Sequence, residues 1–547
     1  MASTKADPLD QRIAEQIEDV EIIPGTEVMK DVGDVHFAHA GGANSSVLVP
    51  QPSNNPSDPL NWSLPWKLIT AVSQLLYVWV LVCSALSLAP LFPLLGKEFH
   101  LNQQQLSLLT GLNVITLGFA NVLIVPVSNI FGRRPTAIFC GSLVILTNIW
   151  QALASSHHSL LAARACNGIV AATSETIMVQ TIADMFFLHE RATWMAAYFT
   201  MYFSGAFLGP IMAGSIGAAH GWRSFFWLST AMAGFVTILL IFAYPETKYH
   251  RSSHTGAAGT EAVGKNPSDV QEKVVESEAN SYSDAIEGSF VNKGRPSKAQ
   301  FALAMKPDSR WMSFVIRDIT TPILVLFNPI VFWSALMLAG PADLLLLFNL
   351  TESGLLGSPA YGWDPQQVGY SNFAFFIGGV FGVVTAGPLS DWWARRATIK
   401  NNGIREAEMR LPALIPFCCF FLIAHVVGAV GYQRLWPWQA ILVCGYGFSG
   451  LAVTSIPSIS IAYAIDCYKP ISGEIMVVGT VLKNVLGFCL SYWVFDIMAR
   501  DGWVTVYMIQ FAVGMLPVVL TVPLYFYGKS LRRWTKNSSL HRMEAMI

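Results

Sequence analysis

Runs of about twenty apolar residues recur from Trp66 to Tyr527, and no other feature limits the fold of this chain as strongly. Inside hydrocarbon the backbone must satisfy its own N–H and C=O groups, so such runs fold as helices that cross the bilayer. Of the 547 residues, 53% are hydrophobic and only 13% are charged. A soluble protein carries about 25% charge, so this surface is not built to be wet. The pattern predicts twelve spans. In the first half they lie near residues 67–95, 105–130, 136–155, 160–187, 193–218 and 223–244. In the second half they lie near 321–349, 367–390, 411–432, 437–463, 473–498 and 503–527. The expected fold is an all-α polytopic membrane protein of two six-helix bundles, residues 66–244 and 319–528. A polar N-terminal tail (1–65), a Ser/Glu/Gly/Lys-rich linker (245–318) and a C-terminal tail (529–547) read as flexible segments.

Loop charge sets the orientation. One set of loops holds Arg133, Arg134, Arg191, Arg395, Arg396, Lys400, Arg405, Arg410 and Lys469, while the alternate loops hold little beyond Lys97, Arg223, Arg434 and Arg500. The positive-inside rule places the first set, both termini and the linker in the cytosol. Asn349-Leu350-Thr351 then reads as a glycosylation sequon on the outer side. With 34 basic and 35 acidic residues, the chain lacks the basic excess of a nucleic-acid binder. The 8 cysteines are scattered without metal or redox spacing. No nucleotide-binding loop, G-x-S-x-G or H-E-x-x-H occurs, so neither an ATP-driven pump nor an enzyme is expected, and no cofactor or metal is implied.

The two halves repeat a signature. Ser128-Asn129-Ile130-Phe131-Gly132-Arg133-Arg134-Pro135 lies between two apolar runs, and Gly387-Pro388-Leu389-Ser390-Asp391-Trp392-Trp393-Ala394-Arg395-Arg396 lies between two others. Aligned on the double arginine, Asn129 falls on Asp391. Internal duplication of this kind is typical of secondary transporters. Further motifs fall at span ends: Arg164 with Gly168, then Gly205, Gly209, Pro210 and Gly214, then Gly221-Trp222-Arg223, then Pro245-Glu246-Thr247. Together these residues resemble the major facilitator superfamily, and within it the fungal twelve-span drug:proton antiporter group. The resemblance implies that the basic turns and the glycines of the fifth span are conformational elements. It also implies that Arg164 is a proton-relay or gating residue, against the plain alternative of an arginine reaching the outer headgroups. The chain departs from the family pattern at Val125, Asn129 and Ala394. The resemblance implies that an aspartate in this turn pairs with arginine and locks one conformation. Asn129 accepts a hydrogen bond but brings no charge, so either the lock is looser on that side or Asp391 carries more of the work.

An ionisable group at bilayer depth costs about 2.5–3.5 kcal/mol on insertion scales, so each one marks a candidate site. They are Arg164, Glu175 and Asp184 on the fourth span, Asp343 on the seventh, His425 on the ninth and Lys483 with Asn484 on the eleventh. Glu175 lies midway along its span, where a carboxyl can hold either a proton or a cation. The alternative is a permanent structural pair with Lys483 or Arg164. Lys483 reads as a counter-ion in one state or as an attractor for an anionic group. Eleven residues separate Arg164 from Glu175, about 16 Å along one helix, too far to pair directly. Asp343, after Gly340-Pro341, is expected in the outer third of a broken helix, or wet beyond its end. His425 reads as a packing residue. Asp184, Glu190 and Arg191 read as an inner salt-bridge latch, paralleled by Asp466, Lys469 and Glu474. The aromatics Tyr77, Trp79, Tyr198, Tyr202, Phe373, Phe375, Phe376 and Tyr492 are candidates to line a cavity.

These readings converge on a monomeric secondary transporter in the plasma membrane, with the vacuolar membrane as the alternative. It would export a small organic molecule (a drug, toxin or secondary metabolite) in exchange for protons. Import of organic cations such as polyamines, and a non-transporting ligand sensor, are the rival readings.

Overall fold

The computed structural model describes residues 26–28, 53, 55–249, 292–303, 311–401, 404–468 and 472–535. Lys469, most of both tails and most of the linker lie outside these residues. Among the described residues ten helices are long and apolar enough to span a bilayer. Helices α1 (Leu64–Leu86), α2 (Gln103–Phe131) and α3 (Arg133–Leu153) open the first half. The fourth span follows as α4 (His157–Ala171) and α5 (Thr173–Met185), interrupted at Ala172. α6 (Leu188–His220) and α7 (Trp222–Ala243) complete that half. A helix, α8 (Trp311–Leu326), already forms within the stretch read as linker. The second half contains α9 (Pro329–Leu356), α10 (Pro365–Lys400), α11 (Ile415–Val426), α12 (Phe448–Cys467) and α13 (Ser472–Thr535). Gly502, at φ 83°, divides α13 into two spans. Counting α4–α5 as one crossing and α13 as two, the helices fit twelve crossings.

Local chemistry sets the helix ends. Asn102 caps α2 and Asp364 caps α10, each in a reciprocal box with a glutamine three residues on. Pro329 and Pro365 open α9 and α10, where a missing N–H costs nothing. Large apolar side chains such as Phe139, Phe235, Phe242, Val384 and Phe526 face outward, as a lipid-facing rim requires.

The two halves meet along two seams of small residues. On one, α2 meets α13, and a Cβ on Gly118 would lie 2.6 Å from Asn484 Cβ. On the other, α6 meets α10, and a Cβ on Gly214 would lie 2.5 Å from the Pro365 carbonyl. Small residues let membrane helices approach this closely. Gly205 and Gly209 instead pack on α1, against Trp79 and Cys83, so only Gly214 and the Pro210 carbonyl carry the fifth-span motif to the partner half.

The first basic turn is a true turn. Gly132, at φ 103° and ψ 159°, ends α2, and the Glu246 carboxylate accepts from the backbone N–H groups of Arg133 and Arg134 at the start of α3. The buried Arg134 guanidinium donates to the carbonyls of Tyr244 and Ile241. The second copy is not a turn, contrary to the sequence reading. Gly387, Asp391, Arg395 and Arg396 all lie inside α10, which runs on to Lys400. Ala394 stands where the first copy has Gly132, and a residue with a Cβ does not adopt the backbone that ends α2. Gly132→Ala should therefore cost about 1–3 kcal/mol, whereas Gly387→Ala, with open space around its Cβ, should be neutral or stabilising by up to about 1 kcal/mol. Thermal unfolding of the two variants in detergent checks the contrast.

Candidate functional site

Glu175 stands in the first turn of α5, three residues beyond the interruption at Ala172, and is 1% exposed. Four side-chain donors converge on its carboxylate. Its Oε1 accepts from Lys483 Nζ at 2.6 Å and from the Tyr202 hydroxyl at 2.8 Å. Its Oε2 accepts from Asn121 at 2.8 Å and Asn484 at 3.1 Å. Lys483 also donates to the Tyr202 oxygen at 3.0 Å and lies 5.0 Å from the centre of that ring. Asn121 and Tyr202 belong to the same half as Glu175, while Lys483 and Asn484 come from α13. The ion pair therefore crosses the seam between the halves.

Beside it lies a cavity of about 80 Å³, walled by Leu and Val side chains with Tyr202, Phe203, Phe207, Asp343, Lys483 and Asn484. Asp343 is 2% exposed and lies near the middle of α9, not in its outer third, and α9 runs unbroken through Pro341. The Gln510 side chain donates to the Gly340 carbonyl there, tying α13 to α9 beside the proline. Among the described residues Asp343 makes no ion pair. Its nearest charge is Lys483 across the cavity.

Arg164 is fully buried but does not reach the cavity. It donates to the carbonyls of Leu109, Ser84 and Ala85 and to Gln151. Neither the headgroup alternative nor pairing with Glu175 holds; the guanidinium ties α1, α2, α3 and α4 together. His425 is a buried packing residue, bonded to the Phe421 carbonyl at 2.9 Å. Asn349, read as a glycosylation site, lies within α9 at 7% exposure on the cavity wall, with Thr351 buried beside it. A buried helical asparagine presents no surface for a glycan. The span expected to end at residue 349 continues to Leu356, about two turns further. For the same reason the sequence reading missed Glu352, which is fully buried and accepts from Asn372 at 3.0 Å and 3.1 Å. The apolar run on either side of Glu352 was the signal available.

The inner latch is assembled differently from its prediction. Asp184 pairs with Arg133 at 3.2 Å rather than with Arg191. Arg191 donates to the carbonyls of Phe186 and Ala183, closing the end of α5. Glu190 is half-buried and lies within the field of Lys67. Arg133 donates to Asn129 at 2.6 Å, and the Asn129 amide donates in turn to Asp318, at the start of the second half. In the second half Asp466 pairs with Arg410 at 2.9 Å and Arg405 at 3.8 Å. Asp391, largely exposed, pairs with Arg410 at 3.2 Å. Glu474 lies within the field of Arg317 and Asp318. Of the candidate cavity aromatics, Tyr202 reaches the cavity. Tyr77 is a packing residue bonded to Thr173, and Phe373 and Tyr492 face outward.

A two-half helical fold around a central charge pair is what membrane carriers share, and the sequence profile of the Major Facilitator Superfamily matches residues 74–491. The chain belongs to that superfamily. Protein HOL1 of Saccharomyces cerevisiae is 26% identical over 543 residues, covering 90% of this chain and 91% of that one. MFS transporter cpaT of Aspergillus oryzae is 28% identical over 493 residues, covering 87% and 90%. Efflux pump radE of Floropilus chiversii is 24% identical over 489 residues, covering 88% and 83%. Among solved structures, the proton:xylose symporter XylE superposes with TM-score 0.57 at 13% identity, over 85% of this chain and 97% of that one. The human organic anion transporter MFSD10 gives 0.51 at 15% identity, over 83% and 99%. At these identities the structures establish the fold alone.

Because the pair is buried, removing one partner strands a charge. Lys483→Met should destabilise the protein by about 3–5 kcal/mol, and the double variant Glu175→Gln/Lys483→Met should recover most of that loss. Thermal unfolding of the single and double variants in one detergent gives the comparison.

Proposed function

We propose that this superfamily member is a proton-coupled carrier that exports a small organic cation by alternating access, with Glu175 as the group that trades a proton for cargo. The observation that carries this reading is the Glu175–Lys483 pair, which bridges the two halves at the wall of the central cavity. While Glu175 is ionised it holds Lys483 and Asn484, and with them the second half. A proton on Glu175 removes its charge and weakens those bonds, freeing the halves to rock. A cationic solute competes with Lys483 for the same carboxylate, so proton and cargo exclude each other, which is the requirement for exchange.

Charge favours a cation as cargo. Glu175 and Lys483 offset one another, and Asp343 adds to the wall a second carboxyl, outside any ion pair, that can ionise toward a cation in the cavity. Tyr202, Phe203 and Phe207 supply faces on which an amphipathic cation can sit. That radE is an efflux pump by name agrees with outward transport. A second reading, import by proton symport, is favoured by Asp343 being separate from the ion pair, since proton and cargo would then bind together. The plasma membrane and a single chain as the working unit belong to the same proposal.

Reconstituted vesicles with an imposed pH gradient test it, using ethidium and spermidine as probes. Wild-type protein should move a probe against the proton gradient, and Glu175→Gln should lower that flux at least a hundredfold while remaining folded. Unchanged flux in the variant would remove Glu175 from the mechanism. Movement of the probe in the same direction as protons would establish symport instead.

A further inference from the structure

Glu352 is a second buried carboxyl that the exchange at Glu175 does not use. It lies in the last turn of α9, which ends at Leu356, at the outer end of the span by the loop-charge orientation. Its side chain is fully buried, and among the described residues it forms no ion pair. From α10, Asn372 donates to both carboxyl oxygens and the Ser371 hydroxyl lies 3.5 Å away. The phenols of Tyr432 and Tyr446, bonded to one another at 2.8 Å, face it from the ninth and tenth spans, with Tyr507 of α13 behind them. The Ala89–Leu91 turn, which also packs on α9, brings no titratable group. On α9 itself the next acid is Asp343, nine residues away and so about 14 Å off.

A buried carboxylate with no counter-ion is costly, so the group carries its proton while its surroundings stay dry. Two features connect it to the transport cycle. Asn372 is bonded to Glu352 and also lines the central cavity. Three residues before it, Gly369 packs against the Pro210 carbonyl and Gly214 of α6, on the seam between the halves. Parting that seam on the outer side brings water to Asn372 and Glu352, and closing it dries them again.

Building on proton coupling at Glu175, we propose that Glu352 is the outer proton-loading site of the carrier. Its carboxylate takes up a proton from outer water as the seam closes and burial disfavours its charge. It gives that proton up through the Asn372 side of the cavity, toward Glu175, when the cavity opens on the inner side and water reaches it. The proton moves between oxygen atoms, and no other bond changes.

The experiment separates net proton movement from cargo movement. In vesicles carrying ethidium or spermidine, whichever the wild type transports faster, pH-gradient-driven flux is compared with probe-for-probe exchange at equal pH on both sides. Exchange needs no proton loaded from outside. Glu352→Gln should lower driven flux at least tenfold and leave exchange within twofold, and Glu352→Asp should restore driven flux to within threefold of wild type. Driven flux unchanged in Glu352→Gln, or both fluxes falling together in monodisperse protein, would overturn the proposal. Should Glu352→Gln not yield monodisperse protein, the infrared band of protonated carboxyls decides. A wild-type band at neutral pH that shifts in Glu352→Asp supports a protonated Glu352, and an identical spectrum overturns it. A wild type without gradient-driven flux would overturn the Glu175 reading as well, which distinguishes the two failures.

Discussion

One ion pair joins the two halves of this protein at its centre. Glu175 and Lys483 lie in different bundles, 2.6 Å apart, with Tyr202, Asn121 and Asn484 completing the shell of the carboxylate. Away from water, such a pair holds only while both members keep their charge and all lone pairs are met. The surrounding architecture serves that condition. The bare backbone of Gly118 lets α13 come close enough for Asn484 to reach. A tie this dependent on charge state suits a contact that must be made and broken.

The inner face follows the same logic by other means. Asn129, which looked like a weakened aspartate, is the better residue for its surroundings. Its amide donates to Asp318 while its oxygen accepts from Arg133. An aspartate at that position would set two carboxylates against each other. The missing charge is supplied by Asp318 of α8, the helix that leads into the second half, so the turn is tied to that helix as well as to its own half.

The fold was largely legible in the sequence because the bilayer leaves few options. Apolar run length located the crossings. The central pair was legible too, since Glu175 and Lys483 are costly at that depth and had few partners. What escaped was mostly a matter of helix ends and of contacts between distant segments. Asn349 and Glu352 were misread because a polar residue at a span end looks like a boundary, although α9 continues to Leu356. Arg164 lacked a visible partner because backbone carbonyls leave no mark in a sequence. Asp184 and Arg191 were grouped by proximity in the chain, while Arg133, which pairs with Asp184, lies two spans earlier.

The difference between Gly132 and Ala394 also reaches beyond the turn itself. The first half has a pivot between α2 and α3, whereas α10 passes its equivalent point as 36 unbroken residues, about 54 Å of rod. A rod cannot dissipate tilt along its length. Swinging it 10° about its midpoint carries each tip about 5 Å, in opposite senses. The seam at Gly369 and the exposed basic end at Arg395 and Arg396 thus sit on opposite arms of one lever, and a tilt that moves one displaces the other.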